Sequence, residues 1–86
     1  MAKDHIPPRP PKSFRIVLEL DHKERRLDNI LLKHIREQKE NMKLKIISRV
    51  EYKELFDNGK IMIKGQRARP SSAIAAGTTY VDILGY

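Results

Sequence analysis

The apolar positions of this chain change their spacing along its length, and each spacing predicts a different element. In residues 14–20, "FRIVLEL", apolar residues alternate with other residues, so that Phe14, Ile16, Leu18 and Leu20 fall on one side. A period of two is typical of a half-buried strand. The remaining positions of this segment, including Arg15, then point away from the core.

The spacing after residue 26 is that of an amphipathic helix. Its apolar face carries residues at i, i+3, i+4, i+7 and i+8, namely Leu27, Ile30, Leu31, His34 and Ile35. We expect His34 to pack at the edge of this stripe, because no second His or Asp lies at metal-ligand spacing. The polar segment that follows fits a continued helix or a loop, and residues 36–47 stay open between the two.

A second helix has clear start and stop signals. Ser48 followed three residues later by Glu51 is the pattern of a capping box, and "NG" at residues 58–59 is typical of a helix end. The buried stripe between them is Tyr52, Leu55 and Phe56.

Short strands complete the pattern. Lys64-Gly65 suits a two-residue hairpin turn, and Pro70 should stop the returning strand. We predict an α+β domain of two main helices on a small, mostly antiparallel sheet, with strands at 14–20, 60–63, 66–69 and 79–84. The two apolar helix stripes should face each other.

The N-terminal segment differs from the rest. Residues 1–13 hold four prolines between positions 7 and 11 and few apolar residues, which predicts a disordered or polyproline-like basic tail. Residues 14–86 are then a single domain, because a chain of 86 residues has room for one modest core.

Charge narrows the choice of partner. The chain has 18 Lys and Arg against 11 Asp and Glu, a formal net charge of +7, which favours a polyanion such as RNA, DNA or an anionic membrane. It has no cysteine, and no apolar run approaches the roughly 20 residues that span a bilayer. We see no signal peptide either, and a cytoplasmic protein without a membrane partner fits best.

The positive charge is concentrated in the second half of the predicted fold. Residues 43–70 hold eight Lys or Arg and three Asp or Glu, a net charge of +5. Arg49 and Lys53 share one exposed face at the helix start, where free amide groups also favour phosphate. The candidate binding residues are Arg26, Arg49, Lys53, Lys60, Lys64, Arg67 and Arg69. The competing interpretation is a solvated face whose cations pair with Glu51, Glu54 and Asp57.

Catalytic chemistry finds little support in the sequence. No serine or cysteine nucleophile has a matched base, and neither a phosphate-binding glycine loop nor a metal-spaced cluster is present. Asp28, two positions after Arg26, has a simpler role at the start of a helix, where it favours the positive helix end and can pair with a neighbouring cation. We therefore expect no catalytic residue, no metal, no cofactor and no small-molecule substrate in this chain.

Three segments together resemble the S-four RNA-binding domain, the family named after ribosomal small-subunit protein four. They are "RRLDNILLKHI", "ISRVEYKELFDNGKIMIKGQRARPSS" and "AGTTYVDI", covering about residues 25–84. The family's motif positions correspond to Arg26-Leu27-Asp28, Ser48-Arg49, Gly59, Lys64-Gly65 and Gly77. The resemblance implies an alpha-L motif on a small sheet and binding to RNA, with structured ribosomal RNA as the expected partner.

The strand before these segments looks most like the N-terminal region of large-subunit ribosomal RNA pseudouridine synthases. In those enzymes the catalytic Asp belongs to a separate later domain, so "RRLD" here is not the catalytic motif. The resemblance implies the binding module of such an enzyme, expected to be monomeric and not itself catalytic. The alternatives are a stand-alone, heat-shock-type ribosome binder, or a protein-interaction module that uses a strand edge or the proline-rich tail.

Overall fold

The computed structural model describes Ile6 and residues 8–86. Residues 1–5 and Pro7, which belong to the predicted tail, lie outside the described residues. Among the described residues the predicted α+β class is confirmed, with three helices and four strands. In chain order the elements are β1 (Ser13–Leu20), α1 (Leu27–Glu37), α2 (Met42–Lys45), α3 (Arg49–Asp57), β2 (Ile61–Ile63), β3 (Gln66–Arg67) and β4 (Gly77–Leu84).

The sheet has the order β1-β4-β2-β3, and every neighbouring pair is antiparallel. β1 and β4 pair along their whole length, from Ser13 opposite Leu84 to Leu20 opposite Gly77. Because directly opposed residues share a face, Ile16 and its partner Val81 point to the same side. Both are buried, so this side of the sheet faces the core.

The core joins this side of the sheet to all three helices. The predicted stripe Tyr52–Leu55–Phe56 is buried, which confirms the assigned face of α3. In the first helix Leu27 and Leu31 are fully buried, whereas Ile30 is only partly covered. The largest fully buried side chains are Leu18, Leu27, Leu31, Ile35, Leu44, Ile61, Ile83 and Val81.

Both ends of α3 form as their residues predict. The Ser48 hydroxyl accepts the Glu51 amide at 3.1 Å, and the Glu51 carboxylate accepts the Ser48 amide at 3.1 Å. At the other end Gly59 has φ of +69°, and its N–H donates to the Phe56 carbonyl at 3.1 Å. The Lys60 N–H donates to the Leu55 carbonyl at 2.8 Å. These paired bonds form a Schellman motif, which satisfies the last carbonyls of the helix.

The start of α1 is fixed by a distant part of the chain. The amides of Leu27 and Asp28 donate to the carbonyls of Ser72 and Pro70, at 2.9 and 3.1 Å. The Tyr52 hydroxyl of α3 donates to the Asp28 carbonyl at 2.7 Å. A hydrogen bond therefore joins α3 to the first turn of α1.

The segment between α1 and α3, for which the sequence allowed a helix or a loop, contains one short helix and is otherwise a loop. α1 ends at Glu37, and Asn41 caps the one-turn helix α2 by accepting the Leu44 amide at 3.0 Å. The buried side chain of Leu44 anchors α2 to the core.

Strand boundaries differ from the predicted ones by one or two residues, with identifiable causes. β2 starts at Ile61 because the Lys60 N–H donates to the Leu55 carbonyl of α3 and is not available to a neighbouring strand. β3 stops at Arg67, and the Arg69 amide donates to the Ser72 hydroxyl at 3.0 Å, so Arg69 lies outside the strand. β1 takes in Ser13, which the sequence placed in the tail, and β4 starts at Gly77 because it pairs with the end of β1.

Substituting Tyr52 with phenylalanine should make the unfolding free energy less sensitive to alkaline pH. Burial raises the pKa of Tyr52 above its ordinary value of 10.0, and the charge of Asp28 adds to this effect. Above pH 10.0 the unfolded tyrosine ionises while the folded one stays protonated, so its contribution to stability falls as pH rises.

At neutral pH we expect Tyr52→Phe to cost about 1 kcal/mol through the lost hydrogen bond. Urea unfolding of both proteins at neutral pH and above pH 10.0 measures the difference. This difference should shrink in alkali, and a constant difference would contradict the assigned cause.

Candidate nucleic-acid interface

Three of the seven candidate cations meet at a groove between the start of α1 and α3. This α1–α3 groove has a volume of about 360 Å³, with Arg26 on one side and Arg49 and Lys53 on the other. Leu32 and Phe56 contribute to its apolar lining. The groove therefore combines cationic rims with an apolar floor.

Arg26 already has an anionic partner. Its Nε and Nη2 donate to the two carboxylate oxygens of Asp28, at 3.1 and 2.9 Å. This hydrogen-bonded carboxylate raises the pKa of Arg26. The predicted pairing of Asp28 is confirmed, and Arg26 brings less free charge to the groove than Arg49 or Lys53.

The other cations at the surface are free within the part of the chain that the structure describes. Their side chains are exposed, and none makes a hydrogen bond or an ion pair with another described residue; they are Arg49, Lys53, Lys60, Lys64 and Arg69. Glu51, Glu54 and Asp57 form no salt bridge there either. The competing interpretation, that neighbouring acids neutralise this surface, loses its main argument.

α3 separates its charges between two sides. Arg49 and Lys53 line the α1–α3 groove, whereas Glu51 and Glu54 line a second groove of about 560 Å³ on the other side of the helix. We call this second one the α2–α3 groove. A polyanion is therefore attracted to the side of Arg49 and Lys53, whereas the charges of Glu51 and Glu54 on the other side are offset by Lys43 and Lys60. Lys60 lies on this second side, away from Arg49 and Lys53.

The helix start itself carries a negative charge. The amide of Glu51 is used by the Ser48 hydroxyl, and the Glu51 carboxylate sits on the Ser48 amide. A carboxylate in this position already interacts favourably with the helix dipole. The attraction of phosphate to this end of α3 therefore depends on the side chains of Arg49 and Lys53.

Arg67 has a structural role that sequence reasoning missed. Its Nη2 donates to the carbonyls of Phe56 and Asp57, at 3.2 and 2.7 Å, and so ties β3 to the end of α3. A cation near helix C-terminal carbonyls is a common stabilising contact. The remaining donors of its guanidinium stay available, since the residue as a whole is exposed.

Lys64 lies at the tip of the β2–β3 hairpin. Lys64 and Gly65 have φ of 54° and 75°, the positive values that a type I′ turn requires at both central positions. The predicted two-residue turn is confirmed. Lysine adopts this backbone region less readily than asparagine or glycine, so the turn presents a cation at the expense of some conformational stability.

An ion pair on the outer side of the sheet was also missed. Arg15 donates through Nε and Nη2 to the two carboxylate oxygens of Asp82, at 2.7 and 3.0 Å. The hydrogen bond to Asp82 raises the pKa of Arg15, whose guanidinium also lies 5.2 Å from the centre of the Tyr80 ring. Arg15 therefore covers one of the few aromatic rings that sequence left free for stacking.

Among Ile6 and residues 8–86, no cluster of three His, Asp or Glu side chains could hold a metal ion. Within the same residues, every helix is too short or too polar to cross a bilayer. No family model, no curated protein and no solved structure matches the chain. The resemblance to the S-four domain therefore rests on the motifs in the sequence.

Proposed function

We propose that this domain binds structured RNA, with ribosomal RNA as the expected class, through the α1–α3 groove and the β2–β3 hairpin. The observation that carries the proposal is the set of exposed cations that have no anionic partner among the described residues. Charges left unpaired on a small basic domain favour a polyanionic ligand.

The motif residues of the resemblance support the proposal through the positions that they hold. Ser48 caps α3 beside Arg49, and Gly59 ends the same helix in a left-handed conformation. Gly65 allows the tight turn that carries Lys64. These residues position the cations without contacting a ligand themselves.

The scarcity of accessible aromatic rings favours a structured RNA over a single strand. Tyr52 and Phe56 are buried, and the Tyr80 ring faces the Arg15 guanidinium. Binding of single strands usually depends on bases stacked on exposed aromatic side chains. Contacts to phosphates and to helix shape are the ones that this surface can make.

A salt titration of RNA binding tests the proposal directly. A fluorescently labelled stem-loop of ribosomal sequence should bind, and the logarithm of the affinity should fall against the logarithm of salt with a slope near −3 to −4, as expected for about four phosphate contacts. An unstructured strand of equal length should bind more weakly. Failure of the stem-loop to bind at low salt, with the domain folded, would reject the proposal.

Within this proposal the chain acts as the RNA-binding module of a pseudouridine-synthase-like protein, and this part rests on the resemblance alone. The competing protein-interaction module predicts a different result. It would ignore RNA at moderate salt and would lose its protein partner when residues 1–13 are removed.

A further inference from the structure

Three exposed aliphatic residues lie on α2 and the start of α3, and the first two are one helical turn apart, because the Ile46 N–H donates to the Met42 carbonyl at 3.3 Å. Met42, Ile46 and Val50 are 56%, 76% and 68% exposed, at intervals of four residues. Single exposed aliphatic residues are ordinary, whereas several in series mark a surface that another molecule covers. We call these three residues the apolar ridge.

The apolar ridge meets the α2–α3 groove at Ile46. Ile46 lines this groove together with the buried residues Ile47 and Leu55 and the partly buried Leu84 and Tyr86, so the groove has an apolar floor. Its rim carries charges of both signs, because Lys43 and Lys60 lie there with Glu51 and Glu54. None of these four side chains forms a salt bridge with another described residue.

We infer that a second copy of this chain covers the surface, with the apolar ridge of each copy placed in the α2–α3 groove of the other. A two-fold contact brings the same patch of both copies together, so the patch must be complementary to itself. The shape is self-complementary, because the apolar ridge of one copy can enter the groove of the other. The charge is self-complementary as well, because Lys43 of each copy can lie opposite Glu54 of the other copy.

The same charges make RNA a poor occupant of this surface. Glu51 and Glu54 offset the attraction of phosphate to Lys43 and Lys60 here, and the free cations Arg49 and Lys53 lie on the opposite side of α3. The dimer contact and the proposed RNA surface therefore use different sides of one helix. Self-association differs from the monomer expected from the sequence, and it does not depend on the proposed function.

We expect a small contact, because each copy offers three aliphatic residues and one groove, so the dimer should be weak and should depend on concentration. Sedimentation equilibrium of the whole chain over micromolar to millimolar concentrations measures it. Ile46→Lys should weaken self-association by on the order of tenfold or more, because the largest losses come from residues at the centre of an interface. Val17→Lys is the matched control, since Val17 is an aliphatic residue of β1 with 41% exposure.

A charge exchange tests the geometry. Lys43→Glu and Glu54→Lys should each weaken self-association, because each variant opposes like charges across the two-fold axis. An equimolar mixture of the two variants restores opposite charges, and mixed dimers should form. A wild-type chain that is monomeric up to millimolar concentration, an Ile46→Lys variant that associates like the wild type, or a mixture no more associated than its parts would each overturn the inference.

Discussion

Replacing both Arg49 and Lys53 with alanine is expected to reduce the salt dependence of stem-loop RNA binding by about two units of slope. Each cation that neutralises a phosphate releases about one condensed counterion, so two lost contacts remove about two units. Both side chains line the α1–α3 groove, and neither has a partner among the described residues. Anisotropy titrations across a salt series measure the slope directly.

The substitutions should leave the fold intact, because both residues are exposed and the capping box is formed by Ser48 and Glu51. Circular dichroism and thermal melting check this. The matched control removes the same charge from the tail by changing Lys3, which lies outside the described residues, and the exposed Arg9. Equal losses from both pairs would indicate diffuse attraction by net charge and would reject the α1–α3 groove as the binding surface.

Removing Arg15 should destabilise the domain more than removing the charge of Asp82. The side chain of Asp82 is 4% exposed and that of Arg15 is 14% exposed, so Arg15→Met leaves a carboxylate that is almost wholly buried without its partner. An unpaired buried charge typically costs about 3–5 kcal/mol. Asp82→Asn leaves a guanidinium nearer to solvent and should cost about 1–2 kcal/mol.

The double variant Arg15→Met with Asp82→Leu separates the contribution of the ion pair to the unfolding free energy from that of the surrounding packing. Buried ion pairs replaced by apolar residues of similar size often lose little stability, so the double variant should recover most of the loss seen for Arg15→Met. Urea unfolding of the wild type, Arg15→Met, Asp82→Leu and the double variant completes the cycle. A double variant as unstable as Arg15→Met would mean that packing around Tyr80, rather than the unpaired carboxylate, causes the loss.

Local signals predicted most of the elements. The alternation in residues 14–20 placed β1, Ser48 and Glu51 placed the start of α3, and Gly59 placed its end. Each signal acts over a few residues, since a capping bond or a left-handed glycine depends on its immediate neighbours. Burial of the α3 stripe followed from the same periodicity.

Features that depend on distant residues could not be predicted in this way. Arg15 has the pattern of an outward-facing residue, and its burial against Asp82 follows only from the β1–β4 register. α2 is a single turn, too short to show a helical period. The loop carbonyls that cap α1 come from Pro70 and Ser72, about forty residues beyond it.

The candidate site shows the same division. Spacing on one helix correctly grouped Arg49 and Lys53, because positions four apart share a helix face. Spacing did not show that Lys60 lies across α3 from them, or that Arg67 binds the carbonyls of Phe56 and Asp57. Those placements depend on how the β2–β3 hairpin packs against the helix.

The full-length pairing of β1 with β4 constrains how the domain folds. Its partners, such as Ser13 and Leu84, lie far apart in the sequence, with α1, α2, α3 and the β2–β3 hairpin between them. Contacts between such distant residues slow folding, because the entropy of closing a long loop is lost before the contacts form. During synthesis on the ribosome, β1 cannot pair with β4 until residues 77–84 emerge from the exit tunnel.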